Sequence, residues 1–217
     1  MDSWKFDKIG IIVDNPGSWF WGYTDRLVEK ISPFSREIVI YHHVKEIETG
    51  DILFILSCDR IFKREALSKF KTNIVIHASD LPRGRGWNPT SWQVEQGCNQ
   101  IPITLFEAAD GLDCGDWYVK DVIELDGSEL LDGIRAKLYA TLEWMAVKFL
   151  SEYPMAAHPQ SGEETRFERR TEKNQELDID QPLRSLFNKL RVCDNERYPA
   201  HFTLNGKQYL IKIYQKP

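Results

Sequence analysis

A short apolar, β-branched run at Lys8–Val13 stops at Asp14–Gly17, a turn signal. Trp19–Ile31 then mixes aromatic and aliphatic residues with Asp25, Arg26, Glu29 and Lys30, as an amphipathic helix does. Strand-length apolar runs recur at Glu37–Tyr41, Ile52–Leu56 and Asn73–His77, and Lys63–Phe70 fits a short helix before the last of these. Strands apolar on both faces, alternating with helices, predict an α/β domain whose mostly parallel sheet is covered on both sides. An antiparallel α+β domain is the alternative. Two more strands are expected around Ile103–Ala108 and Trp117–Ile123. Ser128–Leu150 is the longest helical pattern: Leu130, Leu131, Ile134, Leu138, Leu142 and Met145 recur at helical spacing, and Ser128 is the expected cap.

The pattern thins at Ala156–Glu176, which reads as an exposed connector, and resumes with a helix at Gln181–Leu190. Two β-like runs, His201–Leu204 and Gln208–Tyr214, flank Asn205-Gly206, a strong hairpin signal. The expected division is a domain over residues 1–155, a connector over 156–180, and a helix-and-hairpin subdomain over 181–217.

Composition narrows the function classes. The chain has 217 residues, room for one large domain with a small appendage, and its 42% hydrophobic and 28% charged content is that of a folded protein. No apolar run approaches the roughly 20 residues of a membrane helix, and Met1–Lys5 lacks the apolar core of a signal peptide. A net charge of −5 weighs against nucleic-acid binding by bulk electrostatics. Cys58, Cys98, Cys114 and Cys193 lie far apart without metal-site spacing, as in a reduced, cytoplasmic protein. Adjacent His42 and His43 on a strand point to opposite faces, so no metal site is expected there.

Candidate chemistry concentrates between Val75 and Trp117. His77 falls at the carboxyl end of a predicted parallel strand, where open α/β sheets place their ligands. The loop after it carries Pro82, Gly84 and Gly86, set up for tight turns, with Arg83 and Arg85 supplying charge. Asp113 lies in a second glycine-bounded loop, Asp110–Gly115. An imidazole and a carboxylate from two loops are the usual parts of a proton-transfer site.

His77, Ser79, Leu81-Pro82 and Arg85-Gly86, followed by Pro89, Trp92, Gly97, Ile103-Thr104 and Asp113-x-Gly115, resemble the core of the folate-dependent formyltransferases. The resemblance implies a Rossmann-like formyltransferase domain that moves a formyl group from 10-formyltetrahydrofolate to an amine, without a metal. His77 and Asp113 would be catalytic, and the segment of Phe106, Glu107, Ala108, Asp110 and Leu112 would line the pterin pocket. The family pattern begins Asn-x-His, whereas this chain has Val75. The missing carboxamide is an oxyanion donor, and losing one typically costs on the order of 10²–10³ in rate. Ser79 and Asn88 are the candidate replacements; Asn73, on the same strand face, is too far back.

The short stretch after Leu150 and the acidic balance weigh against tRNA as acceptor. Phe167–Thr171, Glu176–Asp178, Leu190–Pro199 and the hairpin ending at Tyr214 look instead like the tails of sugar N-formyltransferases. That likeness implies a UDP- or dTDP-linked 4-amino-4,6-dideoxy sugar, from surface-glycan or nonulosonate synthesis, as partner. Arg169 and Arg170 would clamp its diphosphate, Arg85 would also contact the sugar nucleotide, Trp87 would border the acceptor, and Tyr198, Phe202 or Tyr209 would stack on the base. The hairpin could also build a homodimer interface. Two other readings stay open: a formyltetrahydrofolate hydrolase, for which a start at Met1 leaves no upstream regulatory domain, and an impaired folate- or sugar-nucleotide-binding protein.

Overall fold

A computed structural model describes residues 4–216; Met1–Ser3, on which part of the signal-peptide reading falls, and Pro217 lie outside the described residues. The first half runs β1 (Phe6–Ile12), α1 (Thr24–Ile31), β2 (Ser35–Tyr41), β3 (Gly50–Ile55), α2 (Arg64–Leu67) and β4 (Phe70–His77). Then follow a two-residue β5 (Arg85–Gly86), α3 (Pro89–Glu95), β6 (Gln100–Glu107), β7 (Trp117–Glu124) and α4 (Leu131–Glu152). The last part holds β8 (Arg166–Phe167), α5 (Leu183–Leu190), β9 (Ala200–Leu204) and β10 (Lys207–Ile211).

A six-stranded sheet in the order β2-β1-β3-β4-β6-β7 forms the centre. The first four strands are mutually parallel, while β6 and β7 run antiparallel at the far edge. This is the Rossmann-like α/β arrangement expected, and its apolar-on-both-faces strands explain it. Ile9, Ile11, Ile52 and Phe54 face a large core with α1 and α4, while Ile12, Leu53 and Ile55 face a second cluster with α2 and Phe70. A smaller cluster of Leu177, Leu190, Cys193 and Ala200 underlies the C-terminal hairpin. Asn205 and Gly206 both adopt positive φ there, as a two-residue turn of the favoured hairpin type demands.

Two local expectations shift. The helix expected from Trp19 begins as a 3₁₀ segment, Trp19–Tyr23, before α1 takes over. Ser128 does not cap α4: the helix starts at Leu131, and the Ser128 hydroxyl instead donates to Asp126 Oδ1 at 2.6 Å. The Asp126–Ser128 turn forms just upstream, and the Glu129 carboxylate folds back to accept the amides of Asp126 (2.8 Å) and Gly127 (3.1 Å). Burial raises the Glu129 pKa, but the Lys137 ammonium at 2.5 Å and these amides outweigh it and hold the group down at about 2.

A carboxylate with a depressed folded-state pKa contributes stability above its unfolded value that is lost as pH falls through the folded one. We expect Glu129→Gln to flatten the loss of stability between about pH 4.5 and about 2, measured by urea unfolding across that range. An unchanged pH slope would remove Glu129 as an anchor of the α4 start.

Candidate active site

β4 ends the parallel part of the sheet and delivers His77, about nine-tenths buried, at its carboxyl end. The imidazole Nε2 lies 2.9 Å from the Gly84 carbonyl. A carbonyl only accepts, so Nε2 carries a proton. The loop between β6 and β7 returns Asp113 to the same place, with its Oδ2 at 3.8 Å from His77 Nε2. That is too long for a direct hydrogen bond. Asp113 Oδ2 accepts the Gly86 amide at 2.9 Å instead, so two backbone groups of one turn hold the imidazole and the carboxylate separately. Asp113 itself sits at φ +50°, in the left-handed region that non-glycine residues seldom adopt.

The turn is fixed by its glycines. A Cβ on Gly86 (φ +105°) would lie 2.3 Å from the Phe167 carbonyl oxygen, and one on Gly84 (φ +71°) 2.6 Å from the Phe167 ring. Phe167 belongs to β8, which pairs in parallel with β5, and the Thr165 hydroxyl accepts the Gly84 amide at 2.9 Å. The stretch read as a connector thus forms part of the site's frame.

The structure brings together some of the other predicted residues and not the rest. Ser79 is buried just past His77, and its hydroxyl has no partner; Asn88 is exposed, left-handed, at the head of α3. Val75 is half-buried against the second core cluster, and the Asn73 carboxamide donates to the Leu67 carbonyl at 3.0 Å, away from His77. Ala108 is half-buried against the second core cluster, with its amide donating to the Asn73 carbonyl at 2.7 Å; Asp110 is exposed and Leu112 half-buried on the loop leading to Asp113, whereas Phe106 is buried in the sheet. Glu107 is also turned inward: its carboxylate accepts the Asn73 amide at 2.7 Å and the Tyr118 hydroxyl at 3.0 Å, so neither Phe106 nor Glu107 offers a side chain to a pocket.

Arg85, expected to contact the sugar nucleotide, and Arg170, expected to clamp its diphosphate, are paired internally. Arg85 pairs with Glu164 at 2.5 Å and Gln160 at 2.7 Å. Arg170, 8% exposed, pairs with Glu95 at 2.6 Å and stacks over Trp92. Phe202 stacks on Tyr209 within the hairpin, while Tyr198 is exposed under Arg197. Trp87 and Arg169 do meet, with the half-exposed guanidinium 5.9 Å from the ring centre and 3.3 Å from Asp59. Sequence reasoning passed over Gln160, whose signal lies only in its long-range hydrogen bonds. Two recesses of the surface lie away from this turn, one of about 810 Å³ at the amino ends of the strands beside Lys8 and Lys71, another of about 370 Å³ beside Leu130 and Tyr214.

Against this geometry, a family model described as formyl transferase matches residues 34–148, more than half of the chain and the whole stretch from β4 to Asp113. The chain belongs to the formyl transferase family. A methionyl-tRNA formyltransferase from Thermosipho africanus is 31% identical over 141 residues, 64% of this chain and 45% of its own. The chain thus spans about half the length of the curated relatives it matches first. Among solved structures, a methionyl-tRNA formyltransferase from Clostridium thermocellum superposes with a TM-score of 0.79 at 21% identity, over 97% of this chain and 94% of that one. A 4-N formyltransferase from Francisella tularensis superposes with a TM-score of 0.71 at 18% identity, over 97% and 98%. These two structures share the fold of this formyl transferase family member.

Burial raises the Glu107 pKa above the ordinary carboxylate range, against the lowering effect of the Asn73 amide and the Tyr118 hydroxyl. An acid with a raised folded-state pKa binds its proton more tightly when folded, so stability falls as pH rises from the unfolded value through the folded one. We expect Glu107→Gln, which keeps an acceptor for the Asn73 amide, to gain stability relative to the parent as pH rises from about 4 to 7. Chemical denaturation at each pH checks this, and a parallel pair of stability curves would contradict it.

Proposed function

We propose that this protein transfers a formyl group from 10-formyltetrahydrofolate to the amine of a nucleotide-linked amino sugar, with His77 and Asp113 at the reacting carbon. The observation that supports it most is the 3.8 Å gap between His77 Nε2 and Asp113 Oδ2, each held by its own backbone group. A gap of that size lets neighbouring substrate atoms meet a donor on one side and an acceptor on the other. The amine lone pair forms the new C–N bond, and charge builds on the formyl oxygen. The Nε2 proton of His77, shared with the Gly84 carbonyl, stabilises that charge. Asp113 takes the proton the amine loses and returns it, through water, to the folate N10 as the old C–N bond breaks.

Val75 supplies no oxyanion donor. Ser79 is the better-supported replacement, because its hydroxyl is unspent next to the His77 strand end, whereas Asn88 is exposed on the head of α3. On the folate side the loop of Ala108, Asp110 and Leu112 would offer its remaining backbone groups to the amide-like edge of a pterin. On the acceptor side the half-buried Trp87 and the half-exposed Arg169 pair beside the turn, and Arg169 would meet a diphosphate, because Arg85 and Arg170 are engaged in ion pairs. Tyr198 is an exposed platform for a base. The net charge of −5 favours a small anionic acceptor, met by one local guanidinium, over tRNA. All four cysteines are free thiols, in keeping with a reducing cytoplasmic setting.

Incubating the protein with 10-formyltetrahydrofolate and dTDP- or UDP-linked 4-amino-4,6-dideoxy sugars, followed by mass spectrometry, should show formylated sugar. His77→Asn and Asp113→Asn should each lower turnover by about 10²-fold or more, in line with loss of a general acid–base group. Near-parental rates in either variant would remove that residue from the mechanism. Formylation of methionyl-tRNA alone would overturn the acceptor, and tetrahydrofolate release without any acceptor would mark a hydrolase.

A further inference from the structure

Gln160 lies on the stretch between α4 and β8, far in sequence from either catalytic loop. Its Nε2 donates to the Asp113 carbonyl at 2.9 Å and to the Gly115 carbonyl at 2.8 Å, while its Oε1 accepts from Arg85 Nη2 at 2.7 Å. Both donor hydrogens and the acceptor are therefore spent across the two loops. One side of that bridge is rigid: a Cβ on Gly115 would lie 1.6 Å from the Glu107 carbonyl oxygen, so the loop there is pressed against β6. The other side is anchored as well, because Arg85 is paired to Glu164 and belongs to β5, whose next residue, Gly86, holds the Asp113 carboxylate. Between these anchors the backbone of Asp113 is kept left-handed at φ +50°, a conformation that needs outside support.

We infer that Gln160 is a positioning residue for formyl transfer. Its amide braces the Asp113 backbone, keeping the carboxylate on the Gly86 amide and 3.8 Å from His77 Nε2. Its effect on rate rests on the transfer reading above; its effect on the loop does not.

Two variants separate bracing from bulk. Gln160→Met keeps the length and removes every polar contact. Gln160→Glu keeps the shape and an acceptor for Arg85 but turns oxygen toward two carbonyls. In both, amide hydrogen exchange at Gly86, followed by NMR, should accelerate about tenfold or more at unchanged global stability. Turnover should fall about tenfold or more with KM for either substrate within about twofold. In an Asp113→Asn background, Gln160→Met should cost less than about twofold further, since both changes act through one group. Unaltered Gly86 exchange, or a loss of rate that multiplies with that of Asp113→Asn, would overturn the proposal. Should the parent protein transfer formyl to no acceptor, the transfer reading fails, and the Gly86 exchange alone decides whether Gln160 braces the loop.

Discussion

The structure depends on one turn. The carbonyl of Gly84 and the amide of Gly86, two residues apart, point at the imidazole of His77 and the carboxylate of Asp113. Backbone groups cannot rotate independently as side chains do, so their separation sets that of the two titratable groups. The turn requires positive φ at both glycines and contact with Phe167 too close for any side chain. Everything that keeps it in place, from the β5–β8 pairing to the Thr165 hydroxyl, therefore acts on the site.

Charge is distributed to the same end. Two arginines of this face are neutralised, Arg85 by Glu164 and Arg170 by Glu95. Those partly buried pairs are more useful as fixed geometry than as stabilisation, because desolvation offsets most of their attraction. Arg83, in the turn, and Arg169, beside Trp87 and 3.3 Å from Asp59, are exposed guanidinium groups near the site.

Much of this was legible in the sequence. Apolar strands alternating with helices fixed the layers of the sheet, and His77, Ser79 and Asp113 stood out through glycine-rich loops. The hairpin was readable because Asn205-Gly206 states its turn type locally. Other features are set by partners far along the chain and leave no local signal. Arg85 and Arg170 look like free cations until Glu164 and Glu95 are placed beside them. Gln160 is an unremarkable residue in a polar stretch, yet it bonds both loops. Ser128 was a reasonable cap by type, but an upstream Asp126 turn captured its hydroxyl and Glu129 took over. At Val75 the chain departs from the family pattern, and the fold accommodates it by packing the side chain into the core.

The most direct test of the account is a crystal structure with a non-transferable folate analogue such as 5-formyltetrahydrofolate. We expect the formyl group at the carboxyl end of β4, within hydrogen-bond reach of His77 Nε2 and beside Asp113 Oδ2, with the pterin along the loop of Ala108, Asp110 and Leu112. Density for the ligand in the recess beside Lys8 and Lys71, at the opposite end of the strands, with the Gly84–Gly86 turn untouched, would contradict it.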